Sequence, residues 1–153
     1  MNKFLSISLI SLFILAACGG GASDKTEETQ KPALIKESAP AADPAQLASG
    51  ETVFKTYCIA CHMADGMGVP GMNPPLSKTE YVNGDKERLI GIVLNGLTEP
   101  LTINGETYSG VMPPHGFLSD DDIANVLTYV RANFGNSSGA VSAAEVTARR
   151  AKQ

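Results

Sequence analysis

The sequence predicts an all-α domain of three main helices that cannot fill its own centre. Two observations carry this. Three stretches repeat apolar residues at helical spacing behind recognisable caps, and the connections between them are long. With no tryptophan and five phenylalanines, three short helices make a thin core, so something else must occupy the middle.

The first helix starts at Asp43-Pro44, with Asp43 as N-cap and Pro44 at the first helical position. Leu47, Gly50, Val53, Phe54 and Tyr57 then recur on one side and lead directly into Cys58. A second helix follows Asp85, with Leu89, Ile90, Val93, Leu94 and Leu97 as its apolar face and Gly96 near its end. The third begins at Ser119, which has capping-box spacing to Asp122. Asp120, Asp121 and Asp122 sit in its first turn, where the helix dipole favours negative charge. Ile123, Val126, Leu127 and Val130 form its buried stripe, and Gly135 is the expected terminator. Between the second and third helices, Leu101 to Tyr108 alternates around Asn104-Gly105, the mark of a tight two-residue hairpin. Beyond Gly135, residues 136–153 read either as a tail or as a short helix opening at Ser142.

The amino-terminal part has a different character. Residues 1–17 combine Lys3, an apolar run from Phe4 to Leu15 and a small-residue end, as an export signal does. The apolar run is too short for a stable bilayer-spanning helix. Leu15-Ala16-Ala17-Cys18 resembles the lipobox of bacterial lipoproteins, which implies cleavage before Cys18 and lipid on its thiol. Residues 18–43 are polar and poor in apolar side chains, which predicts a flexible tether with an r.m.s. span of roughly 25–30 Å. Residues 44–135 then form the domain.

The formal charge is −4, and loss of the signal removes Lys3 alone, leaving 11 basic against 16 acidic residues. No basic stripe is present, so nucleic acid is not an expected partner.

The chemistry lies in Cys58-Ile59-Ala60-Cys61-His62, a Cys-x-x-Cys-His run. Two thiols about one helical turn apart can add to the two vinyl groups on one edge of a haem, and the next residue then lies beneath the iron. A thioredoxin-like pair would need a preceding strand, and a zinc site would need further close ligands. His115 is the chain's only other histidine. With Cys18 assigned to lipid and the other two cysteines to haem, no disulfide is expected.

The sixth position on the iron has five candidates: Met63, Met67, Met72, Met112 and His115. Met63 adjoins His62 and cannot reach the opposite face, and Met67 and Met72 lie close downstream on the same side. Met112 lies fifty residues on and is followed by Pro113-Pro114, which stiffen its loop. Met112 is the expected ligand and His115 the alternative.

From Gly50 to Phe134 the chain resembles the class I, mono-haem cytochromes c, with Cys58, Cys61 and His62 early and Val111-Met112-Pro113 late. The stretch from Asn104 to Pro113, running on to Leu118-Ser119-Asp120, is similar to cytochrome domains of bacterial alcohol dehydrogenases and copper nitrite reductases. The resemblance implies a crossing of the first and last helices at Gly50 and Phe54 against Tyr129. It implies that a proline carbonyl, that of Pro74 or else of the adjacent Pro75, accepts the His62 ring N–H, and it sets Tyr108 against the haem.

An iron held by His62 and Met112 has no open position, so the expected role is electron transfer and not catalysis. The expected protein is a carrier anchored by lipid on Cys18 to a bacterial membrane, facing the periplasm or cell surface. It would exchange single electrons with protein partners, as a monomer or as the dedicated subunit of an oxidoreductase complex.

Overall fold

The computed structural model describes residues 41–153. The expected signal, Cys18 and most of the expected tether lie outside them.

Helix α1 spans Pro44–Val53, and the Asp43 carboxylate accepts the Ala45 N–H at its start. It runs on through a wide π-helical turn, Phe54–Cys58, into α2, Ile59–His62. In the wide turn the Ile59 N–H reaches back five residues to the Phe54 carbonyl. Met63 ends the run with φ 61° and ψ 163°, a backbone region that side chains other than glycine seldom occupy.

Helix α3, Glu80–Asn83, is an addition to the expected set. At four residues it is too short to show a period, and its capping residue Thr79 is 1% exposed. Helix α4, Lys86–Asn95, starts where Asp85 accepts the Arg88 N–H at 2.6 Å and stops at Gly96, φ 73°. Strands β1, Leu101–Ile103, and β2, Glu106–Tyr108, pair antiparallel with Leu101 opposite Tyr108. Asn104 and Gly105 both have positive φ, as the hairpin reading required.

Helix α5, Asp120–Ala132, has Ser119 as N-cap, its hydroxyl accepting the Asp122 N–H. The Asp122 carboxylate takes the Ser119 hydroxyl, so the reciprocal bond of a full capping box is not made. The helix ends before Gly135, because Asn133 turns extended and Phe134 takes φ 56°. Of the two readings left open for the last residues, the structure has the helix: α6, Ala143–Arg150, with the full capping box between Ser142 and Glu145.

The core gathers α1, α4 and α5, with α6 laid across α4 and α5. Val141 and Val146, 1% and 0% exposed, place the carboxyl-terminal segment inside that core. The Thr128 hydroxyl donates to the Val141 carbonyl and accepts its N–H, fixing the segment to α5. At the far end of α6, the Arg150 guanidinium donates to the Gly116 and Leu118 carbonyls and to the Asp120 carboxylate.

Two buried polar side chains hold the loops. Arg131, 4% exposed, donates to the carbonyls of Val82, Gly84 and Gly139. Asn136 donates to the Leu76 and Val130 carbonyls and accepts from the Lys78 N–H and the Asn83 amide. An unpaired buried polar group costs ~1–3 kcal/mol, and these two residues make seven hydrogen bonds to such groups.

The tightest point is the crossing of α1 and α5. A Cβ on Gly50 would lie 2.1 Å from the Asn125 carbonyl oxygen and 2.7 Å from the Tyr129 Cβ. Phe54, Tyr129 and Phe134 pack around the crossing with ring centroids 5.2–5.8 Å apart. Gly50→Ala has no flexible neighbour to displace. It is expected to lower the unfolding free energy of the holoprotein by about 1–3 kcal/mol, read from a denaturant titration, with an unchanged slope.

Candidate functional site

The site is built around the loop that follows α2. The Gly68 N–H bonds to the His62 carbonyl at 3.1 Å, and the Leu76 N–H bonds to the Gly66 carbonyl at 2.7 Å. Between them Val69 and Asn73 pair as a short bridge. Gly66 lies so close under Phe134 that a Cβ would meet the ring at 2.5 Å. These contacts fold the loop back on itself and bring the Pro74 carbonyl 3.3 Å from His62 Nδ1. A carbonyl can only accept, so Nδ1 carries the proton and Nε2 keeps the lone pair. Burial pushes the His62 pKa down, the Pro74 bond pushes it up, and the charge of His115 pushes it down again. The net direction is downward, which keeps the ring in the neutral, metal-ligating form at pH 7.

Met112 is fixed from another direction. It exchanges two backbone hydrogen bonds of 2.9 Å with Leu97, just beyond the end of α4. Gly96 permits this approach, since a Cβ there would lie 2.4 Å from the Met112 carbonyl oxygen. Three residues later the His115 N–H bonds to the Val93 carbonyl at 2.9 Å. Pro113 and Pro114 span the interval, so the segment is stiff and pinned at both ends.

The hairpin joins these two walls. Gly110 N–H and Ser109 N–H bond to the carbonyls of Met72 and Gly71. Glu106 accepts from the Gly71 N–H and from the Tyr108 hydroxyl at 2.9 Å. Tyr108, with Ile103 beside it, is thereby turned inward, 7% exposed.

Between the walls lies one cleft with about 1240 Å³ of atom-free space, counting the part open to solvent. Cys58, Cys61, His62, Pro74, Tyr108 and Met112 all line it, and so does His115. The remaining lining is mostly aliphatic, from Leu76, Leu89, Val93, Leu97, Val126 and Val130 among others. Met63, Met67 and Met72 are exposed by 44%, 54% and 56% and are not part of the lining. Cys61 is exposed at the rim and Cys58 half-buried. Burial, with a smaller push from Cys61, raises the Cys58 thiol to about 11.

Several supporting residues carried no signal in the sequence. Leu97 and Gly96 hold Met112 through backbone contacts, which leave no periodic trace. Arg131 and Asn136 read as ordinary surface residues at a helix end, yet both are buried.

The residues fit a haem: a wide cleft lined by carbon, two thiols at one edge and a neutral imidazole beside them. One polar atom stands out among the described residues, the buried Nδ1 of His115, which has no hydrogen-bond partner.

Comparison with known proteins agrees with this chemistry. The family described as Cytochrome c matches residues 47–133. A cytochrome c-552 of Thermus thermophilus is 33% identical over 94 residues, spanning 59% of this chain and 71% of that protein. The cytochrome c subunit of a quinone alcohol dehydrogenase from Gluconobacter oxydans is 37% identical over 103 residues. That match takes in 64% of this chain but 21% of the subunit's length. A crystal structure of a c-type cytochrome from Methylobacterium extorquens aligns with a TM-score of 0.45 and 21% identity, covering 71% of this chain and 67% of that one.

An apolar cleft of this size is not stable when empty, because its walls lose both dispersion contacts and shielding from water. A Cys58→Ser, Cys61→Ser double variant is expected to come out colourless, without near-ultraviolet circular dichroism and with raised binding of a hydrophobic dye. A sharp, cooperative thermal transition in that variant would contradict the haem's role as core.

Proposed function

Since this chain belongs to the cytochrome c family and so carries one covalent haem c for electron transfer, we propose that His62 and Met112 are its axial ligands. We propose further that it works as a single-electron carrier tethered by lipid on Cys18 outside the cytoplasm. The observation that supports the ligand assignment is the shared cleft, into which the loop after α2 brings His62 and the Leu97 bridge brings Met112.

Bound there, the haem supplies reversible one-electron exchange between ferric and ferrous iron. The chain's residues set the terms. Cys58 and Cys61 hold the group at the edge of the domain, with Cys61 on the exposed side where a partner can approach. The Pro74 carbonyl orients the His62 ring and raises its basicity. The Met112 thioether favours the ferrous state, and the aliphatic lining excludes water and disfavours the extra charge of the ferric state. Both push the potential upward. With both axial positions filled by side chains, small oxidants have no entry to the metal, so the reaction stops at electron exchange.

The match to the alcohol dehydrogenase subunit supports a second reading, a dedicated subunit of an oxidoreductase complex. Contact with such a partner at the Cys61 edge would be small and brief for a free carrier and lasting for a subunit. Purification separates the two, since a subunit elutes with its enzyme and a carrier elutes alone.

Met112→Ala is expected to remove the thioether–ferric absorption and lower the midpoint potential, as read by visible spectroscopy during a redox titration; an unaltered spectrum would remove Met112 as ligand. Cys18→Ser is expected to shift the cytochrome from the membrane pellet to the soluble fraction while its haem spectrum stays the same. Retention in the pellet would contradict the lipid anchor.

A further inference from the structure

The unpartnered Nδ1 of His115 is the one buried polar atom that the architecture leaves unexplained among the described residues. Leaving such an atom unpaired costs ~1–3 kcal/mol. The ring lines the same cleft as His62 and Met112. The His115 ring also leans on Phe117, with centroids 5.8 Å apart, and that contact limits its rotation.

The backbone tells the same story. Met112 hangs from Leu97, just beyond the end of α4, and His115 from Val93 in its last turn. Both side chains therefore arise from one wall, separated by two prolines that prevent the segment from coiling away. One wall thus offers two Lewis bases of different softness to a single metal position.

We propose that His115 is a reserve sixth ligand: when the Met112 thioether leaves the iron, His115 Nδ1 takes its place. The exchange breaks one iron–sulfur bond and forms one iron–nitrogen bond. The imidazole enters neutral, with its proton on Nε2, so no proton or electron is gained or lost. Imidazole stabilises ferric iron relative to thioether, so the exchanged form has the lower potential. The site stays closed to small gases in both forms. This inference rests on Met112 being the resident ligand, and the test separates the two statements.

The holoproteins to compare are wild type, Met112→Ala, His115→Ala and the double variant, by visible and electron paramagnetic resonance spectra and by carbon monoxide binding to the reduced state. The expected result is that Met112→Ala loses the thioether absorption yet stays low-spin and binds carbon monoxide poorly. The double variant alone then turns high-spin and binds it readily, while His115→Ala keeps the wild-type spectrum. A high-spin Met112→Ala protein that binds carbon monoxide readily overturns the reserve role and leaves Met112 as ligand. A Met112→Ala spectrum identical to wild type overturns both. Met112→Leu, which preserves side-chain volume, replaces alanine in the series if the smaller residue costs the fold.

Discussion

The contact on which the rest depends is the crossing of α1 and α5 at Gly50, where two backbones approach too closely for even a methyl group. Helix α1 leads without a break into the segment that bears Cys58, Cys61 and His62, so the angle of that crossing aims the attachment residues. Helix α5, the other partner in the crossing, begins shortly after the segment holding Met112 and His115. Phe54, Tyr129 and Phe134 pack around the crossing, and Phe54 also lines the cleft. A larger residue at position 50 would move both walls of the cleft together.

The polar interior serves the same geometry. A guanidinium and an amide, those of Arg131 and Asn136, are buried where the loops have no regular partners for their carbonyls. Arg131 has no carboxylate in its hydrogen-bonding shell, and burial pushes its pKa down. It remains charged at any physiological pH, because the unperturbed value lies so high. The domain thus stabilises irregular connections with side chains, and the connections in turn carry the chemistry.

Much of this was legible in the residues alone. Caps at Asp43, Asp85 and Ser119 marked three helix starts, because short polar side chains there satisfy free N–H groups. Asn104-Gly105 marked the hairpin, because both positions need positive φ. The Cys-x-x-Cys-His run named the cofactor. What could not be read depends on contacts between backbones or on distant pairs. The Met112–Leu97 bridge, the burial of Arg131 and the four-residue α3 leave no period and no composition signal. The last helix was evenly poised in sequence against a loose tail, since a capping box reports a possible start and not the docking that stabilises it.

That docking reaches further than the helix itself. Arg150, in the last turn of α6, grips the carbonyls of Gly116 and Leu118, just past the prolines that follow Met112. The segment between Met112 and α5 is therefore latched by α6. Loss of that grip would leave the residues of the attachment turn in place and loosen the wall of the cleft that carries Met112 and His115.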